Sequence, residues 1–164
     1  MTTAVRNPFR KDGNEPLGVI YCSQVTRWTT LSLCRIFTQD APLFTNPFRR
    51  IINWNEVECL LERIQLPLPT VFLGIYYLNA FKQRCGNISG EFKQLYLIKH
   101  LLPLGLMIAM KYLDDSPYST RYWASIMGLN LEAVKAMERR FLRIIDYDLF
   151  ITKEQLEGWM KCSR

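Results

Sequence analysis

The stretch YLIKHLLPLGLMIAMKY, residues 96–112, is almost continuous in Leu, Ile, Met and Ala. Lys99, His100 and Pro103 interrupt it, so it falls short of the run of about 18 apolar residues that a membrane-spanning helix needs. A helix that is hydrophobic on all sides is normally buried at the centre of its bundle. The stretch therefore predicts the central helix of an all-helical domain, and Pro103 either starts this helix or kinks it.

Four more helices are predicted around the central one, from apolar residues at three- and four-residue steps. One begins at Asn53 or Asn55 and ends before Pro67, and the next begins at Pro69 or Thr70 and ends at Gly86. After the central helix, a short helix lies around residues 121–127, and another runs from the cap Asn130 through Ile145. Thr152 with Gln155 predicts a capping box for a short terminal helix. We therefore expect an all-α bundle of five helices over residues 51–151, with the third helix buried, and a short helix in residues 152–164.

The N-terminal part of the chain gives weaker signals. Residues 1–18 are rich in turn-forming residues and poor in large apolar ones, and they predict a mobile tail. Residues 19–37 contain many Val, Thr, Tyr, Trp and Ile residues, so the pattern favours a strand and a helix about equally. Pro42 and Pro47 mark a connector. We therefore expect an N-terminal extension and connector over residues 19–50.

Composition argues against an enzyme. The 164 residues include a single histidine, His100, and no glycine-rich phosphate loop, HExxH or GxSxG motif. The five cysteines form no CxxC pair and predict free thiols. We expect no catalytic residue, no metal and no cofactor. The net charge of +6 permits an acidic partner, which could be nucleic acid or protein.

Two motifs resemble the cyclin family. Residues 108–118, IAMKYLDDSPY, are similar to the end of the third cyclin-box helix and its following turn, where the family has an A-x-K-[YF] signature and acidic residues. Residues 137–149, MERRFLRIIDYDL, resemble the fifth helix with its M-E-x-x-[FL]-L core and aromatic-Asp-Leu ending. The turn at residues 115–123 is most similar to the Pho-type (P-type) cyclins of fungi and protists. The resemblance implies a single cyclin box.

The same resemblance implies a partner and a set of contact residues. Cyclins bind a cyclin-dependent protein kinase, here one of the Pho branch, and have no catalysis of their own. Their Lys and Glu on the third and fifth helices hydrogen-bond backbone groups beside the regulatory C-helix of the kinase, and the matches are Lys111 and Glu138. The accompanying hydrophobic contacts fall on Ile108, Tyr112, Leu142, Tyr147 and Leu149. The implied function is activation of the kinase and help in selecting its protein substrates.

Two alternatives stay open. Lys135, Arg139, Arg140 and Arg143 suggest a basic face on the fifth helix. Such a face would suit a cyclin-fold module that binds nucleic acid or a transcription complex. Those modules usually carry two tandem boxes and only one fits here, so nucleic acid is the less favoured partner. The other alternative is an adaptor that binds a kinase without activating it. With no apolar signal-peptide core, we expect a location in the nucleus or cytoplasm and no membrane association.

Overall fold

The computed structural model describes residues 18–38, 52–85 and 97–162. Within these ranges the chain forms only helices, namely α1 (Gly18–Thr38), α2 (Trp54–Ile64), α3 (Leu68–Cys85), a π-helical turn (Leu97–Leu101), α4 (Leu102–Leu113), α5 (Thr120–Met127), α6 (Leu131–Ile144) and α7 (Lys153–Cys162). None of these helices is long and apolar enough to cross a membrane. Residues 1–17 of the predicted tail, the connector with Pro42 and Pro47, and the predicted helix end at Gly86 lie outside the described residues. Gly18, the last residue of the predicted tail, is instead the first residue of α1.

The segment for which the sequence favoured a strand and a helix about equally forms a helix, α1. Residues 18–38 are helical, and Val25, Leu33 and Phe37 are buried at helical spacing. The helix packs on α2 and α3. Strand propensity of β-branched residues is weak and depends on context, so the burial of a helical stripe outweighs it here.

α2 begins and ends where the sequence predicts. The Asn53 side chain accepts a hydrogen bond from the Asn55 backbone N–H at 3.0 Å, which makes Asn53 the cap. The helix ends at Gln65, which has a left-handed φ of 51°. Pro67 follows and has no backbone N–H to continue the helix, so α3 starts as a new element.

α4 is the central helix that the apolar stretch predicts. Every residue from Leu102 to Met110 is buried, and the helix contacts α3, α5 and α6. Pro103 lies in the first turn of α4. The π-helical turn Leu97–Leu101 runs directly into α4, so Pro103 lies close to the point where the helix type changes. The prediction of an all-α bundle around a buried third box helix is confirmed.

The later helices have the predicted caps. Gly128 closes α5 with a φ of 65°. The Asn130 side chain accepts a hydrogen bond from the Ala133 N–H at 2.7 Å and begins α6. Thr152 and Gln155 bond each other's backbone N–H groups at 2.9 and 3.2 Å, so the capping box of α7 is confirmed.

Aromatic pairs join helices that are distant in sequence. Phe81 of α3 stacks on Phe141 of α6 with ring centroids 4.6 Å apart. Trp159 of α7 contacts Trp28 of α1 and Tyr76 of α3 edge to face, with centroids 5.8 and 5.7 Å apart. Such pairs contribute beyond the area they bury. α1 and α7 therefore meet beside α3.

Candidate functional site

Lys111 and Glu138 form an ion pair between two helices. Lys111 lies in the last turn of α4, and Glu138 lies within α6. The Lys111 Nζ and Glu138 Oε1 atoms are 2.7 Å apart, and the two side chains are 30% and 18% exposed. The structure thus brings together the two polar residues that the resemblance selected, and it leaves both of them accessible.

Thr120 completes this group. Lys111 Nζ also donates a hydrogen bond to Thr120 Oγ1 at 3.0 Å. Thr120 is the first residue of α5 and follows the cap Ser119. The motifs did not single it out, because it lies nine positions after Lys111 across a turn whose path they do not specify. Three helices therefore contribute one residue each to a polar cluster of Lys111, Thr120 and Glu138.

The polar cluster has hydrogen-bonding capacity left for a partner. A lysine ammonium has three N–H donors, and a glutamate carboxylate has two acceptor oxygens. Within the described ranges, Lys111 uses two donors, one to Glu138 and one to Thr120, and the only bond to Glu138 is at Oε1. One N–H donor and one carboxylate oxygen are therefore left close together. This pattern matches the C=O and N–H groups of another chain's backbone.

The segment after α6 has an unusual backbone conformation. Asp146 and Tyr147 have φ values of 56° and 54°, a region that non-glycine residues rarely adopt. The Tyr147 N–H bonds the Leu142 carbonyl at 2.8 Å, and the Asp148 N–H bonds the Ile145 carbonyl at 3.1 Å. Each left-handed residue costs on the order of 1 kcal/mol. Other contacts must therefore stabilise this turn.

α3 supplies these contacts. Arg84 donates to the Ile145 carbonyl and to Asp148 Oδ2, the second bond being 2.9 Å long. The Tyr77 hydroxyl donates to the Leu149 carbonyl at 2.7 Å. The two side chains hold both ends of the 145–149 turn. They thereby fix the backbone that carries the exposed side chain of Tyr147.

Tyr77 holds this turn from within the core. Its side chain is fully buried. Burial is the main reason that the pKa of Tyr77 lies well above its ordinary value, and Tyr112, Tyr76 and Asp148 raise the pKa further. The phenol therefore stays protonated and remains a hydrogen-bond donor.

The apolar residues that the resemblance selected differ in exposure. Tyr112 and Tyr147 are 43% and 58% exposed. Leu142 and Leu149 are half-buried and pack against the core. Ile108 is 3% exposed and belongs to the core itself, so it lies beneath the surface rather than on it. Contact with a kinase stays a prediction for all five residues.

Two exposed apolar residues, one within the first motif and one just after the second, were not selected. Leu113 follows Tyr112 at the end of α4 and is 49% exposed, and Phe150 lies just after the second motif and is 74% exposed. The available signal was their position, since each is a large apolar residue directly beside a predicted contact. We call Tyr112, Leu113, Tyr147 and Phe150 the apolar patch.

His100 is a packed residue of the π-helical turn. Its side chain is buried. Burial lowers the pKa of His100 and Lys99 lowers it further, whereas a hydrogen bond with the Met127 backbone acts in the opposite direction. The ring is therefore neutral at physiological pH and packs against the end of α5.

Comparison with known proteins assigns the family. The family model described as Cyclin matches residues 61–149, which is more than half of the chain. The chain belongs to the cyclin family. Cyclins are regulatory subunits of protein kinases rather than enzymes. No solved structure matches this cyclin at a significant level.

The relatives of this cyclin confirm the resemblance to the Pho type. It is 32% identical to PHO85 cyclin-7 of Saccharomyces cerevisiae over 111 residues, which cover 60% of this chain and 39% of that protein. It is 27% identical to the G1/S-specific cyclin pas1 of Schizosaccharomyces pombe, over 60% of this chain and 24% of that protein. It is 30% identical to Cyclin-U2-1 of Arabidopsis thaliana, over 56% of this chain and 40% of that protein. The chain therefore spans less than half the length of these relatives.

Proposed function

We propose that this cyclin binds a cyclin-dependent protein kinase through the polar cluster and the apolar patch, activates it, and helps to select its substrates. The observation that carries the proposal is the ion pair of Lys111 and Glu138, 2.7 Å long and still accessible. The kinase would be of the Pho85 type, because PHO85 cyclin-7 and PHO85 cyclin CLG1 are both relatives.

The composition of the surface supports a protein partner. The apolar patch provides four large side chains, two at the carboxyl end of α4 and two in the segment after α6, and each is 43% or more exposed. Protein interfaces combine a core of aromatic and apolar residues with a few fixed polar groups. Here the polar cluster supplies the fixed groups and the patch supplies the apolar area. The surface therefore suits a partner that presents both an apolar side and free backbone groups.

The mechanism of activation is a population shift. A kinase C-helix has inward and outward positions, and only the inward one completes the Lys-Glu ion pair that phosphoryl transfer needs. A surface that binds only the inward position raises its population by the difference in binding free energy. The cyclin contributes binding energy, and the kinase contributes the chemistry.

A second candidate function rests on exposed arginines. Arg139 and Arg143 are exposed one turn apart on α6, and neither forms an ion pair within the described part of the chain. Guanidinium groups in this arrangement suit phosphate or acidic segments. Binding to duplex DNA that persists at physiological salt and is lost in Arg139→Ala/Arg143→Ala would favour this function over the first.

The test is co-purification with a panel of cyclin-dependent kinases, followed by assay of substrate phosphorylation. We compare the wild type with Lys111→Ala/Glu138→Ala, which removes both charges and so leaves no unpaired one. We expect the wild type to bind and activate a kinase and the variant to bind it at least about tenfold more weakly.

The matched control is Lys153→Ala/Glu157→Ala, which removes an exposed pair of the same residue types from α7. This control should bind and activate like the wild type. Binding without activation by the wild type would identify a passive adaptor. Absence of any kinase binding by the wild type would contradict the proposed function.

A further inference from the structure

Thr120 is held in place independently of Lys111. The Ser119 hydroxyl caps α5 by accepting a hydrogen bond from the Tyr122 N–H at 3.2 Å. The Tyr122 hydroxyl contacts the Arg63 carbonyl at 3.4 Å, and the Trp123 side chain is completely buried. The amino end of α5 is therefore fixed by a cap and by packing, and the Thr120 hydroxyl has a defined position before a lysine approaches it.

A lysine at the end of a helix needs such a fixed acceptor to point in one direction. Its four-carbon side chain has many rotamers, and a single carboxylate partner allows the ammonium to swing around it. Glu138 and Thr120 approach Lys111 Nζ from two different helices, at 2.7 and 3.0 Å. Two acceptors on different helices set the directions of two N–H groups, and the third N–H then points in a defined direction.

We propose that Thr120 is a positioning residue of the partner-binding surface, which orients Lys111 Nζ beside Glu138 so that the third N–H can meet a backbone carbonyl of the partner. This inference deepens the proposed kinase binding and rests on it for its biological meaning. The orientation of Lys111 itself is a property of the free chain. It can therefore be tested without a partner.

The test compares four chains: the wild type, Thr120→Val, Thr120→Ala and Thr120→Ser. Valine keeps the shape of the threonine side chain but has no hydroxyl to accept a hydrogen bond. Alanine lacks both the hydroxyl and the methyl group, and serine has the hydroxyl alone. In the free chain we measure the rate at which acetic anhydride acetylates Lys111, relative to the exposed Lys153 of the same molecule. In the complex we measure the Kd for the kinase that the wild type binds.

Acetic anhydride reacts with the neutral amine form of lysine. We expect valine and alanine to increase the relative acetylation rate of Lys111 several-fold, because its nitrogen loses one of the two hydrogen bonds that hold it. We expect them to weaken kinase binding about fivefold to tenfold, which lies within the range for losing one ordinary hydrogen bond. Serine should restore both quantities to within about twofold of the wild type. Circular dichroism identifies any variant that does not fold. Because two variants lack the hydroxyl, the test can still be made if one of them does not fold.

The inference is overturned if Lys111 is acetylated at the same relative rate in all four chains, or if serine behaves like valine and alanine. The two proposals fail separately. A wild type that binds no kinase contradicts the proposed function, whereas the acetylation rates still decide whether Thr120 orients Lys111. A change in acetylation without any change in kinase Kd would show that the orientation of Lys111 has no role in binding.

Discussion

Threonine hydroxyls in this cyclin differ in whether they have a hydrogen-bond partner. Thr26, Thr29 and Thr30 of α1 are buried, and their hydroxyls have no partner among the described residues. The Thr152 hydroxyl, in contrast, accepts a hydrogen bond from the Gln155 N–H at 3.2 Å. A buried polar group without a partner costs about 1 to 3 kcal/mol. The same residue type therefore weakens one helix and strengthens another.

Replacing Thr29 and Thr152 compares a buried hydroxyl that has no partner with a hydroxyl that caps a helix. Thr29→Val keeps the side-chain shape and removes the unpartnered hydroxyl, so we expect the free energy of unfolding to rise by about 1 kcal/mol. Thr152→Val removes a helix cap and should lower it by about 1 kcal/mol. Urea denaturation of both variants measures the two changes. Effects of the same sign would show that the Thr29 hydroxyl has a partner in solution.

At the scale of secondary structure, the packing of α3 on α4 depends on two glycines. A Cβ atom at Gly74 would lie 2.8 Å from Leu106 Cδ2 and 3.1 Å from Leu106 Cα. A Cβ atom at Gly105 would lie 3.0 Å from the Gly74 carbonyl oxygen. The contacts with backbone atoms cannot be relieved by moving a side chain. The two helices can approach this closely only because both positions lack a side chain.

Gly74→Ala should lower the free energy of unfolding by about 1 to 2 kcal/mol, because the cost of overpacking exceeds the gain in helix propensity. Gly158→Ala on α7 is the matched control, since a Cβ atom there has no neighbour within 4 Å. It should raise the same quantity by about 0.5 to 1 kcal/mol. Urea denaturation measures both. A stabilising Gly74→Ala would rule out the close approach of α3 and α4.

Helix ends could be predicted from the sequence because caps, prolines and glycines act locally. Asn53, Asn130 and the pair of Thr152 and Gln155 all cap the helices that their positions predict. The helix at residues 18–38 could not be predicted, because its β-branched residues and its helical stripe favour different structures until α2 and α3 bury the stripe. The π-helical turn before α4 could not be predicted either, because Pro103 is consistent with both a helix start and a kink.

At the scale of the whole molecule, the candidate site depends on contacts between helices that are distant in sequence. The motifs selected Lys111 and Glu138, and the bundle brings them within 2.7 Å. Thr120 was not selected, because its contact with Lys111 follows from the packed fold. For the same reason the motifs could not show that Ile108 is buried.

In the proposed function, the polar cluster presents a hydrogen-bond donor from Lys111 and an acceptor from Glu138 to the backbone of a kinase. A charge-swapped variant, Lys111→Glu/Glu138→Lys, separates this role from a purely structural one. It keeps an ion pair between α4 and α6, so the fold should remain stable, but it exchanges the donor and the acceptor.

The most direct measurement is the Kd of the swapped variant for the kinase that the wild type binds, with thermal unfolding as the control for folding. We predict a melting temperature close to that of the wild type and binding weaker by at least about tenfold. A folded swapped variant that binds the kinase as tightly as the wild type would contradict the account, because the positions of the donor and acceptor would then not matter.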